Sequence, residues 1–288
     1  MAHPHLWQSA HYQLIDFGNG RKLERFGAVV LDRPCPAAEH KRTGEPPAWE
    51  QADLRVDPSE QWQHVSRTQR DEWHVAFDRV TFALRLTPFG HVGLFPEHAQ
   101  NWRWLTERAR DEGSPPLRVL NLFGYTGGAS LLLAAHGWEV VHVDSSAPSV
   151  AWARHNAQLS GLDAAPIRWI VDDARSFASR EVRRGRLYDA IVMDPPSYGH
   201  GPKGRAWQIQ RDLRPLLSDC VRLLQPDRGA LVVTGHSDAI DGESLDLPSV
   251  YYECEGRKAR VETGRLSLGD RSERTLDCGW YARAIASN

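Results

Sequence analysis

The chain has few cysteines and no run long enough for a membrane. Its four cysteines, Cys35, Cys220, Cys254 and Cys278, stand far apart, and no two form C-x-x-C. Zinc-binding and dithiol redox motifs are therefore excluded, no metal is expected, and the spacing suits a reducing cytosol. No apolar stretch approaches the roughly 20 residues of a membrane span. The opening Met1-Ala2-His3-Pro4-His5 lacks the charged and apolar regions of a signal peptide. A cytoplasmic protein with no membrane partner is expected. An excess of one charge is missing as well: 35 Lys and Arg stand against 37 Asp and Glu, a net charge of -2. The chain is not a general polyanion binder, and any nucleic-acid contact has to come from local patches. Internal repeats and low-complexity segments are also absent.

What is present is material for a sizeable core, with 41% hydrophobic residues in 288, more than one average domain. Residues 1–10 read as a tail. From 11 to 95, short alternating runs are separated by turn residues. Phe17-Gly18-Asn19-Gly20 is a hairpin signal, and Ala28-Val29-Val30-Leu31 reads as a strand. Residues 33–60, rich in proline and charge, read as loop. Three more strands are expected at 74–77, 80–86 and 91–95, then a helix over 97–111 ended by Gly113-Ser114-Pro115-Pro116. Residues 1–95 thus form a small β-rich N-terminal domain, and 96–288 a second domain. From 117 onward strand and helix patterns alternate, which predicts a doubly wound α/β fold with a parallel sheet. Strands are expected at 117–120, 138–143, 167–171, 188–193 and 230–234, helices at 147–160, 174–184 and 206–224, and two further strands within 256–283.

Between the first of these strands and its helix lies Asn121-Leu122-Phe123-Gly124-Tyr125-Thr126-Gly127-Gly128. Such a turn lets the backbone approach a ligand closely, and the helix start beyond it offers unpaired N–H groups. The glycine spacing is not the G-x-G-x-x-G of nicotinamide and flavin sites. Asp144 ends the next apolar run, where a carboxylate would accept hydrogen bonds from ribose hydroxyls in either cofactor class. Asp194-Pro195-Pro196-Ser197-Tyr198 follows another apolar run. A hydride-transfer enzyme has no evident need of it, whereas a methyltransferase acting on a ring or amino nitrogen does. The prolines fix φ and remove donors, leaving carbonyls and the Asp194 carboxylate to face a nucleophile, with Tyr198 available to stack on a planar base. Gly124, Asp144, Asp173, Asp194 and Thr234 all fall at strand ends on the edge where such sheets bind ligands.

These segments, with Asp144-Ser145, Ala153-Arg154-His155-Asn156, Asp172-Asp173-Ala174 and Gly93-Leu94-Phe95-Pro96-Glu97-His98, resemble the class I S-adenosylmethionine-dependent methyltransferases. The likeness is to the branch of bacterial large-subunit ribosomal RNA enzymes that make 5-methylcytosine or 7-methylguanine. Lys22-Leu23-Glu24-Arg25-Phe26-Gly27 resembles uncharacterised bacterial relatives. The resemblance implies a seven-stranded Rossmann-like sheet, S-adenosyl-L-methionine as cofactor and ribosomal RNA as partner. It places the cofactor against Phe95, Asn121, Phe123, Gly124, Tyr125, Thr126, Gly127, Asp144, Ser145, Asn156, Asp173, Ala174 and Asp194. The 123–127 backbone would wrap its methionine portion, Asp144 its ribose, and Asp173 with Ala174 its adenine. Asp194, Pro195, Pro196 and Tyr198 would form the catalytic loop.

Two departures matter. The 5-methylcytosine members carry a nucleophilic cysteine after the fifth strand, where this chain reads Thr234-Gly235-His236-Ser237. Cys220 falls in an apolar helical stretch and reads as core. Covalent catalysis at a pyrimidine carbon is thereby disfavoured, and direct in-line transfer to a nitrogen is expected. In 238–253, where relatives place a helix, the stretch is acidic and proline-ended. Basic clusters at 180–186, Lys203-Gly204-Arg205 and 257–260 are the local candidates for RNA contact, those at 180–186 and 257–260 reading more as solvated surface; Trp102 and Trp104 are candidates for stacking, with core packing as the stronger reading. A methyltransferase acting on a small molecule or protein and a non-catalytic RNA-binding relative remain as alternatives; a nicotinamide oxidoreductase is disfavoured by the glycine spacing.

Overall fold

The computed structural model describes residues 7, 10–39, 41–42, 46–65, 72–108, 115–199, 206–236, 240–254 and 256–287. Two compact units emerge, Met1–Gln100 with Leu266–Cys278, and Asn101–Arg265 with Gly279–Asn288. The division by sequence at 95/96 left all C-terminal residues in the second region. No described helix is long and apolar enough to cross a membrane.

In the first unit, β1 (Tyr12–Gly18), β2 (Arg21–Phe26) and β3 (Val29–Pro34) form an antiparallel meander. Asn19 and Gly20, with φ of 52° and 73°, make the expected tight turn. Helix α1 (Pro46–Glu50) leads to β4 (Leu54–Val56), parallel to β3, and β5 (Trp62–His64) completes the sheet. The expected loop over 33–60 therefore contains a helix and a strand. Leu54 and Val56 alternate inward, a period too short to stand out among charged residues. A separate hairpin joins β6 (Trp73–Phe77) to β7 (Val80–Leu84). Residues 91–95 are not a strand: Gly93 has φ of 92°, which breaks the extended path, and Pro96 opens a short 3-10 turn. On β2, Glu24 is fully buried and accepts hydrogen bonds from Tyr12 (2.8 Å) and Arg33 (2.9 Å to Nε), so this charge is paired as burial demands.

The helix expected over 97–111 is α2 (Ala99–Thr106); residues 109–114 lie outside the described residues. The second unit then alternates β8 (Arg118–Leu122), α3 (Gly128–Ala135), β9 (Glu139–Asp144), α4 (Ala147–Leu159), β10 (Ile167–Val171), α5 (Ala174–Arg183) and β11 (Ala190–Met193). A two-stranded ladder, β12 (Tyr198–Gly199) with β13 (Trp207–Gln208), precedes α6 (Ile209–Leu223), β14 (Ala230–Gly235), α7 (Leu247–Glu253), β15 (Lys258–Gly269) and β16 (Thr275–Ser287). Helix α7 occupies the second half of the stretch that reads as acidic and proline-ended. Asp246 caps it, and Pro248 sits in its first turn, where a missing N–H costs nothing.

The seven-stranded sheet has the order β10-β9-β8-β11-β14-β16-β15. The first five strands are parallel, and β16 runs antiparallel to β14. Its central strands are near-continuous apolar runs because helices cover both faces. Leu120, Ile191, Met193, Leu231 and Val233 are completely buried. The chain moves outward from β8 to β10, then returns to β11 on the other side of β8. The crevice at such a reversal is where doubly wound sheets bind ligands.

Candidate active site

Register places the motifs at one height. Leu122 pairs with Met193, and Met193 with Val233, so Phe123, Asp194 and Thr234 leave adjacent strands together. Val143 pairs with Leu122, and Val171 with Asp144, which brings Asp144 and the Asp172-Asp173 turn to the same edge. Phe95 belongs to the first unit, where its ring stands 5.2 Å from that of His91.

The glycine-containing turn is wound by alternating left-handed residues: Phe123 at φ 56°, Tyr125 at 48° and Gly127 at 95°. Two of these are aromatic, and such dihedrals persist only where surroundings impose them. The Gly124 N–H donates to the Val143 carbonyl (3.0 Å), and Gly127 N–H to the Gly124 carbonyl (2.9 Å). The Tyr125 N–H donates to Asp144 Oδ2 (2.8 Å). Asn156, fully buried on α4, donates from Nδ2 to the carbonyl of buried Thr126 (2.9 Å). Its polar head is thus turned into the protein as a brace for the turn. Beneath lies a buried chain: Asn121 Nδ2 donates to Ser130 Oγ (2.9 Å), which stands 2.9 Å from Nδ1 of His142. A Cβ on Gly124 would come within 2.5 Å of the His142 ring. That glycine is required by the protein's own histidine.

Asp144 also accepts from the Ser146 N–H (2.8 Å). Burial pushes its carboxyl above the usual range, against these two main-chain donors. Ser145 beside it is exposed. Asp173 caps α5 through the Ser176 N–H (3.0 Å) and takes a forked contact from Arg175 (3.2 and 2.7 Å). Burial opposes its charge, but the Arg175 hydrogen bonds prevail and hold the carboxyl below its ordinary value. Ala174 follows, buried, as the first residue of α5. Side chains cap α4, α5 and α7, whereas Gly127 leaves the amino end of α3 without a capping side chain. Those N–H groups face the same edge and suit an anionic group.

In the Asp-Pro-Pro loop, Thr234 Oγ1 donates to Asp194 Oδ1 (2.6 Å), and His236 Nε2 stands 3.9 Å from the same oxygen. Pro195 is buried, Pro196 exposed, and Tyr198 is 75% exposed. The loop is pinned from behind by the β12–β13 ladder and by the Trp207 indole, whose N–H donates to the Pro196 carbonyl (2.6 Å). Trp207 also meets Phe123 edge-on, with ring centroids 5.0 Å apart, and Arg175 lies over its face at 5.7 Å. Arg175 and Trp207 escaped the sequence reading; neither belongs to a spaced motif, and a lone indole eleven residues past a proline gives no signal. Lys203, Arg205 and Ser237 lie outside the described residues. Trp102 is buried and packs on Gly128, so it offers no stacking face. Arg180 is paired with Asp172, and Arg184 with Glu181 (2.9 Å), which neutralises part of that basic cluster.

A strained turn, two strand-end carboxylates and a proline-stiffened loop gathered at one sheet edge suit a nucleotide-cofactor enzyme of the group-transfer kind. A model of the S-adenosylmethionine-dependent methyltransferases matches residues 48–253, and the chain belongs to that family. The crystal structure of the S-adenosylmethionine-dependent methyltransferase from Agrobacterium tumefaciens is 37% identical. The match covers 95% of this chain and 90% of that one, with a TM-score of 0.88. A ribosomal RNA large subunit methyltransferase K/L of Shewanella baltica is 36% identical over 157 residues, 54% of this chain and 21% of the relative. The ribosomal RNA large subunit methyltransferase K of Neisseria meningitidis serogroup B is 31% identical over 159 residues, 54% of this chain and 44% of the relative. The chain thus spans between a fifth and a half of these two curated relatives.

Proposed function

We propose that the protein is a cytoplasmic enzyme that methylates a base nitrogen of ribosomal RNA by direct in-line transfer, without a covalent cysteine adduct. The observation that carries this reading is the shared height of the 123–127 turn and Asp194, with threonine rather than cysteine at the end of β14. Cys220 is fully buried in α6, its thiol pushed well up by burial; Cys254 is buried too, and burial likewise pushes up the thiols of Cys35 and Cys278. The relatives from Shewanella and Neisseria, named as ribosomal RNA methyltransferases, support the substrate class.

The donor set at the edge fits the family's cofactor: uncapped N–H groups for a carboxylate, and acceptors at Asp144 and Asp173 for hydroxyl and amino groups. When bound, S-adenosylmethionine would supply an electrophilic methyl group on sulfur. The main chain of 123–127, braced by Asn156, would hold its amino-acid portion, with Asn121 tied to Ser130 at the start of α3. Asp144 and Ser145 would bind the ribose, Asp173 and Ala174 the adenine, and Tyr125 would pack on it. Asp194 and the Pro195 carbonyl would accept hydrogen bonds from the base and stabilise positive charge growing on its nitrogen. The hydroxyl of Thr234 holds the Asp194 carboxylate in one orientation, and Tyr198 would stack on the base. The test is tritiated methyl transfer to 23S ribosomal RNA, followed by mass spectrometry of its nucleosides. An N-methylated nucleoside supports the reading; label found only in protein or small molecules, or a C5-methylpyrimidine, refutes it.

A further inference from the structure

The cluster at 257–260, which reads as ordinary solvated surface, borders a shallow groove of about 690 Å3 on the second unit. The groove lies between the end of α7, the start of β15 and Ser287 at the end of β16. Its cations do different work. Arg257 serves the protein, donating from Nη1 to the carbonyls of Val221 (2.7 Å) and Leu224 (3.2 Å) at the end of α6. Lys258 and Arg260 are exposed and, two residues apart on a strand, share one face. Arg108 is held below its ordinary value by burial and by the charge of Arg260, so positive potential extends past the groove's rim. The carboxylate on the described lining, Glu253, is taken by Arg214 at 2.7 Å.

One lining side chain is aromatic. Tyr252 is 72% exposed. Among the described residues, the large apolar side chains that stand exposed are Val65, Val171, Tyr198 and Tyr252. The two aromatic ones are therefore Tyr198 in the Asp-Pro-Pro loop and Tyr252 in this groove. Exposed aromatic faces beside cations are how proteins hold single-stranded nucleic acid: cations take the phosphates and the ring takes a base. An acidic peptide would satisfy the cations but leave the ring without a planar partner. The groove is also well placed. β16 pairs with β14 from Ala230–Ile285 to Gly235–Trp280, so Ser287 lies past the amino end of β14 while Thr234 lies at its carboxyl end. The six residues of β14 span about 20 Å, a distance that several nucleotides bridge.

We propose that this groove is a second RNA contact, where Lys258 and Arg260 take phosphates and Tyr252 takes a base of a single-stranded segment flanking the methylated site. This rests on the RNA reading above and assigns the substrate a minimum length. The test uses a labelled oligouridine of about 30 nucleotides, read by anisotropy across a salt series, and methyl transfer to 23S ribosomal RNA. Lys258→Glu with Arg260→Glu is expected to weaken oligouridine binding at least tenfold and to lower the salt slope by about 1.4, two phosphates at about 0.7 each. Tyr252→Ala is expected to weaken it severalfold with the slope unchanged. Both variants should raise KM for the RNA and leave kcat and S-adenosylhomocysteine affinity as they were. Wild-type binding and transfer matched by both variants would overturn the groove alone. A wild-type protein that neither binds oligouridine nor labels ribosomal RNA would overturn the RNA reading, and the groove with it. Equal competition by polyglutamate would also overturn the proposal, because the surface would then be a general anion site.

Discussion

The indole N–H of Trp207 donates to the carbonyl of Pro196 across 2.6 Å. A residue outside every motif thus fixes the back of the Asp-Pro-Pro loop while its ring meets that of Phe123, just past β8, edge-on. Trp207→Phe keeps the ring and removes the donor. Loss of a part-buried hydrogen bond costs about 1 kcal/mol of stability, but a small drift of a catalytic loop is costlier for rate. The expected result is a fall in kcat of about tenfold or more, with S-adenosylhomocysteine affinity by calorimetry little changed. An unaltered kcat would mean that the ladder of β12 and β13 holds the loop without help.

Asp194 and Asp144 stand at the ends of different strands and are expected to fail differently. Asp194→Ala should abolish methyl transfer and leave cofactor binding largely intact. Asp144→Ala should weaken cofactor binding first, since it removes the acceptor that also anchors Tyr125. Thr234→Val deletes the hydroxyl that orients Asp194; kcat should drop about tenfold, one well-placed hydrogen bond, and Thr234→Ser should restore it. Retention of full activity by Asp194→Ala would refute the assignment of that loop.

The alternation from β8 to β14 was legible because each strand is an apolar run ended by a turn residue, and the motifs fall where those runs stop. Strand edges such as Ile167–Val171 came out within a residue for the same reason. The first unit was harder. Leu54 and Val56 contribute two inward positions in a charged stretch, and 91–95 has strand composition but a left-handed Gly93. At the site, sequence indicated which residues reach the edge but not which partners hold them. The Asn156–Thr126, Trp207–Pro196 and Thr234–Asp194 contacts join residues 11 to 40 positions apart, and no periodic pattern encodes such pairs. The hairpin tip, residues 266–278, joins the first unit through contacts of that same kind: Arg274 donates to the Phe17 carbonyl (3.1 Å) and pairs with Asp16.

Gly124 illustrates a turn constrained from below. Its missing Cβ would lie 2.5 Å from the His142 ring, closer than atoms approach. Gly124→Ala is expected to destabilise the protein by about 1–3 kcal/mol, the range for an overpacked core. The clash is with one side chain, so the cost should shrink when His142 is truncated. In a double-mutant cycle with His142→Ala, a coupling of about 1 kcal/mol or more is expected from denaturant unfolding. Additive effects would locate the strain in the backbone instead.

His142 also sets an acid limit on the fold. It is fully buried beneath the turn, its Nε2 meets no hydrogen-bond partner among the described residues, and burial lowers its pKa to about 3. An unfolded chain takes up a proton near pH 6.5, whereas the folded one refuses it until far lower. Between those values the unfolded state binds more protons, so stability falls as pH falls, by up to about 1.4 kcal/mol per unit from this group. Above pH 6.5 both states are neutral at this position and the contribution is flat. His142→Gln, which keeps bulk and hydrogen-bonding capacity but cannot titrate, should therefore show a shallower loss of stability from pH 6 to pH 4 than wild type. The difference between the two urea-unfolding series isolates His142 from the other histidines. Parallel curves would mean that the imidazolium is accommodated beneath Gly124, and that the turn yields to let water reach it.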